Sequence, residues 1–213
     1  MEIQTLSLGP LGTNCYIVSN QGDCVIIDPG GDAHIVTKYV TDNALDVKAI
    51  LLTHAHFDHI GAVDELRKHY EVDVYLHEAE ESWLVDANLN RSAAFMGSSY
   101  HIETAKPEQI LTEGPLTIGT ITCEVVHTPG HSPGSVSFIF ADAKFTVSGD
   151  VLFQQSIGRT DLPGGDMQVL AKSIVHKLYT LSDDFIVYPG HGPSTSIGSE
   201  KQRNPFTLQF YQA

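Results

Sequence analysis

The chain has 213 residues, 42% of them hydrophobic and 18% charged, which is enough apolar material for a substantial core and the charge content of an ordinary globular protein. A formal net charge of −14 excludes the basic face that nucleic-acid binders carry, so neither DNA nor RNA is an expected partner. Cys15, Cys24 and Cys123 stand singly in apolar runs with no Cys-x-x-Cys pair, so they read as small buried hydrophobes and not as a disulfide framework.

Met1-Glu2-Ile3-Gln4 offers no basic start, no apolar segment of signal length follows, and no run approaches a membrane span. A cytoplasmic protein without a membrane partner is expected. Residues 3–8, 14–19 and 23–28 alternate in the manner of antiparallel strands, separated by Gly9-Pro10-Leu11-Gly12 and Asn20-Gln21-Gly22. Asp28-Pro29-Gly30-Gly31 closes the third strand, where an aspartate before proline reads as a turn former. Asp32 is placed to cap a helix whose apolar stripe is Ile35, Val36, Tyr39 and Val40.

Residues 49–52 form a short apolar run of the buried-strand type, and Thr53-His54-Ala55-His56-Phe57-Asp58-His59 follows directly. His54 and His56, two apart in extended chain, can present both rings to one side. Asp58 and His59 fall at the entry of a helix continued by Gly61-Ala62-Val63-Asp64-Glu65-Leu66. Imidazole and carboxylate donors of this kind hold a borderline cation such as zinc. A loop after a strand is also where α/β folds present their chemistry. Further on, residues 72–77 read as a strand, 78–84 as a short helix, and 86–104 as a long loop with helical fragments, on which Arg91, Tyr100 and His101 are surface residues within possible reach of a substrate.

The second half repeats this scheme, with strands at 120–127, 135–140, 144–148 and 184–188 and a helix from near Asp166 striped by Met167, Leu170, Ile174 and Leu178. The donors of one loop cannot close two metal spheres, and three later segments can add to them. They are Thr128-Pro129-Gly130-His131-Ser132-Pro133-Gly134, Thr146-Val147-Ser148-Gly149-Asp150 and Val187-Tyr188-Pro189-Gly190-His191-Gly192, in which glycines keep the backbone tight beside a cation. Of the eleven histidines, His34, His69, His77, His101, His127 and His176 lie outside these motifs, and His127 reads as structural support.

In this order, His-x-His-x-Asp-His, Pro-Gly-His, Gly-Asp and Pro-Gly-His-Gly resemble the metallo-β-lactamase superfamily, and within it the glyoxalase II-like thioester hydrolases, over essentially the whole chain. The resemblance implies an α/β fold, a four-layer αββα sandwich, forming one domain over 1–213 with pseudo-symmetric halves of about 1–110 and 111–213. It implies two divalent metal ions, zinc first, with iron or manganese accommodated by the same donors. His54, His56 and His131 would hold one, Asp58, His59 and His191 the other, and Asp150 would bridge them together with a hydroxide that attacks an acyl carbonyl, which makes Asp58 and Asp150 the catalytic pair. Two ions about 3.5–4 Å apart bring the pKa of a shared water from about 15.7 toward roughly 7. The resemblance also implies a supporting place beside the metals for Asp28. The expected substrate is a small acyl-thioester, S-lactoylglutathione or a related thiol conjugate, because a thiol of unperturbed pKa near about 8.5 leaves without a general acid.

Arg159, in Phe153-Gln154-Gln155-Ser156-Ile157-Gly158-Arg159-Thr160-Asp161, either binds the thiol carrier, as a basic residue near that place does in glyoxalase II, or pairs with Asp161. The chain stops soon after Pro205-Phe206, short of the C-terminal helical region that completes the carrier pocket of the larger glyoxalase II enzymes. Three alternatives stay open: a mononuclear iron persulfide dioxygenase using His54, His131 and Asp150, a lactonase of the same superfamily, and a metal-binding protein without turnover. Ser156-Ile157, where the dioxygenases carry a cysteine before Gly-Arg, argues against the first. A β-lactamase with a cysteine in its second metal site is not expected, since Cys123 matches no such position. Either a monomer or a homodimer is expected.

Overall fold

The alternation of the N-terminal stretch is realised as three antiparallel strands, β1 (Glu2–Leu8), β2 (Thr13–Asn20) and β3 (Asp23–Ile27), in a computed structural model that describes residues 1–95, 97 and 101–208. The sheet then turns parallel. Strands β4 (Asp46–Leu51), β5 (Val74–His77) and β6 (Gln109–Leu111) extend it in the order β1-β2-β3-β4-β5-β6. Parallel neighbours need crossovers, supplied here by α1 (Ala33–Asp42) and then by the single turn α2 (Phe57–Ile60) with α3 (Val63–Tyr70). Helix α1 buries Ala33, Val36 and Val40, and α3 buries Val63 and Leu66, in one cluster with Ile26, Ile50, Leu52 and Val74.

Two sequence expectations shift in this unit. Ile35, assigned to the buried stripe, is 38% exposed, because the buried arc of α1 runs through positions 33, 36 and 40. Asp32 does occupy the N-cap of α1, but in a left-handed conformation (φ 48°) and without a capping bond. Its Oδ2 accepts the N–H of Gly9 at 2.8 Å, tying the β1–β2 turn to the start of the helix.

Among its described residues, the stretch at 86–104 is a loop with one helical turn, α4 (Ser92–Phe95). A single buried side chain organises it. Asn90 Nδ2 donates to the carbonyls of Trp83 (3.1 Å) and Ile102 (2.7 Å), while its Oδ1 accepts the N–H of Ser92 (2.9 Å). Backbone groups that no strand satisfies are thereby paired. Tyr100 lies outside the described residues, and His101 is exposed.

The second sheet is built from β7 (Gly114–Ile118), β8 (Ile121–His127), β9 (Val136–Phe140) and β10 (Phe145–Gly149), followed after a small hairpin of β11 (Leu152–Phe153) and β12 (Ser156–Ile157) by β13 (Ile186–Pro189) and β14 (Thr195–Ser196). Its order is β14-β13-β10-β9-β8-β7. The parallel pair β10–β13 is joined through α5 (Met167–His176), whose N-cap Asp166 accepts the N–H groups of Gln168 (2.8 Å) and Val169 (3.0 Å). Leu170 and Ile174 pack with Val151, Leu152 and Val187, whereas Met167, placed on the stripe by its spacing, is 42% exposed at the first turn. A further helix, α6 (Ile197–Arg203), follows β14.

Contact density divides the chain into two compact units, Met1–Leu111 with Thr117–Thr122, and Thr112–Leu116 with Cys123–Ala213. The tip of the β7–β8 hairpin belongs to the first because Thr120 donates its N–H to Asp23 Oδ2 (2.9 Å) and exchanges side-chain bonds with Asn20. Among the described residues no helix is long and apolar enough to cross a membrane.

Each unit presses one glycine against the backbone of an aspartate from the sequence motifs. A Cβ on Gly30 would lie 1.8 Å from the carbonyl oxygen of Asp58, and one on Gly158 would lie 1.9 Å from that of Asp150. Neither backbone can yield without moving the aspartate. Gly30→Ala and Gly158→Ala are therefore each expected to cost about 3 kcal/mol or more, lowering Tm by roughly 6–12 °C in thermal denaturation.

Candidate metal centre

Strand β4 ends at Leu51, and the motif that follows is held by side chains where the sheet ladder stops. Asp28, buried and itself in a left-handed conformation (φ 52°), accepts the Thr53 N–H at Oδ1 (2.7 Å) and the Thr53 hydroxyl at Oδ2 (2.6 Å). The same Oδ2 lies 2.9 Å from His59 Nδ1. Because an ionised carboxylate only accepts, His59 donates from Nδ1 and keeps the lone pair of Nε2 for another partner. Thr53 Oγ1, having given its proton to Asp28, accepts from His54 Nδ1 (3.1 Å), which leaves His54 in the same tautomer. One acid thus sets the donor atoms of two imidazoles. Turn formation and support of the motif coincide in Asp28.

The rings cluster as the spacing predicts. His54 lies 4.8 Å from His56 and 4.1 Å from His59 between centroids, and His56 rests against Trp83 at 5.5 Å. Asp58 is oriented by the Thr13 hydroxyl, which donates to its Oδ2 at 2.9 Å. Three buried imidazoles this close together suit a cation shared among their lone pairs.

In the second unit the same orientation is achieved by backbone. His131 Nδ1 donates to the carbonyl oxygen of Arg159 at 2.8 Å, again leaving Nε2 as the donor atom. Asp150 Oδ2 then stands 3.7 Å from His131 Nε2 and 3.6 Å from His191 Nε2. These separations are too long for hydrogen bonds. They are close to the roughly 3.4 Å expected between tetrahedral donors that each lie about 2.1 Å from a common zinc ion. A carboxylate oxygen so placed is spaced to share a cation with either imidazole.

Among the described residues, three groups of three donors have ligand atoms within 4.8 Å of one another: His54, His56 and His131; His54, His59 and Asp150; Asp58, His59 and His191. All seven donors named from the motifs are in these groups, and no cysteine is. Their chemistry is that of a site for a divalent cation with nitrogen and oxygen ligands.

The remaining candidates fall elsewhere. Arg159 forms a two-pronged ion pair with Asp161 (2.7 and 2.8 Å) on an exposed stretch, and this guanidinium holds the Asp161 carboxyl down to about 2. His127 Nε2 donates to the carbonyl of Pro133 at 2.9 Å and so braces the turn that carries His131, the structural part its position suggested. Thr13, Asn90 and Glu80 were not apparent from sequence. Thr13 lies 45 positions from the aspartate it orients and Glu80 lies 25 from the amide it binds, and no local pattern marks either.

A family model described as the metallo-beta-lactamase superfamily matches residues 8–191. A probable metallo-hydrolase, YqgX, of Bacillus subtilis (strain 168) is 48% identical over 212 residues, 99% of this chain and 99% of that protein. Hydroxyacylglutathione hydrolase GloC of Haemophilus influenzae (strain ATCC 51907 / DSM 11121 / KW20 / Rd) is 36% identical over 209 residues, 97% of this chain and 98% of that protein. Among solved structures, the BLEG-1 B3 metallo-beta-lactamase superposes with a TM-score of 0.93 at 51% identity, covering 97% of this chain and 99% of that one. TTHA1623 in a di-iron-bound form does so with 0.85 at 38%, covering 95% and 99%. The fold class expected from the motifs is the one these matches share.

If Asp28 fixes the imidazole tautomers, Asp28→Asn, whose amide would point a donor at His59 or Thr53, is expected to weaken metal affinity about 10- to 100-fold, read as metal per chain after dialysis against a graded chelator. The cysteines are expected to stay silent in the same preparation. Burial pushes Cys24 and Cys123 up to about 12 and Cys15 well above its usual value. With thiolate at roughly 1 part in 10⁴ at pH 8, a thiol reagent should titrate none of them in the native protein and all after denaturation.

Proposed function

The chain belongs to the metallo-β-lactamase superfamily, and from that premise we propose that it is a cytoplasmic, glyoxalase II-like hydrolase of a small acyl-thioester, S-lactoylglutathione or a related thiol conjugate. At the coarser level it is a metal-dependent hydrolase with a histidine and aspartate metal site. Asp150 carries the reading, with its Oδ2 3.7 Å from His131 Nε2 and 3.6 Å from His191 Nε2, a carboxylate disposed to serve two ions.

In this proposal His54, His56 and His131 hold one ion, Asp58, His59 and His191 the other, and Asp150 both. When bound, two zinc ions, or iron or manganese in their place, supply an acidified water and an electrophilic surface for a carbonyl oxygen. The chain's own part is orientation. Asp28 and the Arg159 carbonyl keep protons on Nδ1 of the ligand histidines, and Thr13 steadies Asp58. Every carboxyl and imidazole in the three groups is a ligand candidate, so none of them is left over as a general acid. A thioester tolerates this because its thiol departs as thiolate, with an unperturbed pKa near about 8.5. Opening a β-lactam releases an amine nitrogen that has to be protonated. The hydroxyacylglutathione hydrolase relative supports the same substrate class.

The name of the 51% identical B3 metallo-beta-lactamase supports a second reading, hydrolysis of β-lactams on the same donors. For partners the proposal is a small-molecule substrate, no nucleic acid and no membrane, with the chain acting as a monomer or homodimer. Arg159 is proposed to meet a carboxylate of the thiol carrier, its pairing with Asp161 holding the guanidinium ready.

The test begins with elemental analysis of protein purified without added metal. Close to two metals per chain, and kcat/KM on a lactoyl thioester at least about 100-fold above that on a chromogenic cephalosporin or a lactone, is the expected result, a preference of about 2.7 kcal/mol. The opposite order would install the β-lactamase or lactonase reading. One iron per chain with oxygen uptake on glutathione persulfide would replace hydrolysis by dioxygenation. Asp150→Ala is expected to lower kcat on the order of 10³-fold. Arg159→Met should raise KM about tenfold for a glutathione thioester, the loss of one ion pair of about 1.4 kcal/mol, and leave a thioester of an uncharged thiol unaffected.

A further inference from the structure

Glu80 lies in the 3₁₀ stretch Glu78–Trp83 directly after β5 and is completely buried. A carboxyl group is removed from water at this depth only where strong bonds replace its hydration. Glu80 Oε2 accepts the N–H of Ala55 at 2.6 Å. Ala55, also fully buried, is the residue between His54 and His56.

That location has a geometric consequence. In extended chain the side chains of residues i−1 and i+1 share a face, and the N–H of residue i points across the strand. Fixing one amide direction therefore fixes the roll of the segment and the aim of both flanking rings together. The sheet no longer does this for residues 53–56, since β4 has ended at Leu51. Its ladder is instead continued by two carboxyl groups, Asp28 on the N–H of Thr53 and Glu80 on that of Ala55. The segment that supplies Glu80 also supplies Trp83, whose ring packs on His56 at 5.5 Å.

We propose that Glu80 is a positioning residue for the metal ligands, holding the peptide between His54 and His56 so that both Nε2 atoms are aimed before an ion arrives. The proposal rests on the metal-site assignment and is independent of the thioester reading, so its test measures metal affinity and not turnover. Glu80→Met keeps the volume and removes the acceptor, and Glu80→Gln keeps a neutral acceptor of roughly half the strength.

Chelator competition is run on the full chain loaded with two equivalents of zinc, with Tm and circular dichroism of the metal-free variants alongside. Expected is a 10- to 100-fold loss of affinity in Glu80→Met and a three- to tenfold loss in Glu80→Gln, magnitudes typical of residues that orient metal ligands from behind. The loss should fall on one of the two zinc equivalents, that of His54, His56 and His131, at unchanged secondary structure. In metal-free wild-type protein the Ala55 amide should already be protected from hydrogen exchange. Wild-type zinc retention by Glu80→Gln would overturn the proposal whether or not Glu80→Met folds. Equal weakening of both equivalents, or an Ala55 amide that exchanges freely until zinc is added, would overturn it as well.

Discussion

The bond between the buried Asp28 carboxylate and His59 Nδ1 is the constraint on which the first unit's chemistry depends. A buried carboxylate is costly unless it is fully bonded. Asp28 meets that requirement with the Thr53 amide, the Thr53 hydroxyl and the His59 ring, so each of its bonds also fixes a motif residue. The left-handed backbone that an aspartate tolerates before Pro29 turns the carboxyl back toward the end of β4. Local turn chemistry and ligand orientation are thus a single feature of the chain.

The second unit reaches the same end by different means. His131 takes its orientation from a main-chain carbonyl, that of Arg159, which ties ligand geometry to the conformation of the segment after the β11–β12 hairpin. That hairpin is held by another fully buried acid. Glu200 of α6 accepts the Gln155 N–H (2.8 Å), the Thr195 hydroxyl (2.6 Å) and the Asn204 amide (2.9 Å), and Asn204 in turn donates to the Ser156 carbonyl (3.0 Å). In both units, buried acids stabilise irregular backbone near a donor by accepting from it. Part of the chain's large negative charge is therefore internal and structural.

The candidate donors were legible in the sequence because metal-ligand patterns leave short, local marks: histidines two apart after a strand, and a glycine beside each later candidate. Long strands were legible for the same reason, through alternation over five or more residues. What escaped was written at a distance or in too few residues. Thr13 and Glu80 act on partners far along the chain, while β6, β11, β12 and β14 are two or three residues long, too short for a period to show. Ile35 and Met167 mark a different limit. Near a helix end the apolar period continues past the arc that packing covers, so periodicity overstates burial there.

Substrate choice is written in neither the donors nor the acids that aim them. A nucleophile drawn from water by cations needs no side chain adapted to one acyl group, so the seven candidate donors by themselves do not discriminate among carbonyls. Selection has to come from loops, and two cationic residues there are set apart by their environments. Arg159 is fixed by Asp161 on an exposed stretch. Arg91, one residue beyond the Asn90 carbonyl that accepts the Phe57 N–H, adopts φ 74° and buries an Nε without a hydrogen-bond partner among the described residues. A non-glycine residue held in that conformation is strained, and the surrounding bonds of Asn90 and Ser92 are what maintain it. The loop at 84–95 is consequently ordered by its own buried polar groups, independently of any substrate. It can change its exposed residues without disturbing Asn90, and through it Phe57 between His56 and Asp58. Such a division, with buried polar groups holding the loop beneath an exposed surface, separates the part of this chain that shapes the backbone near the donors from the part that meets solvent.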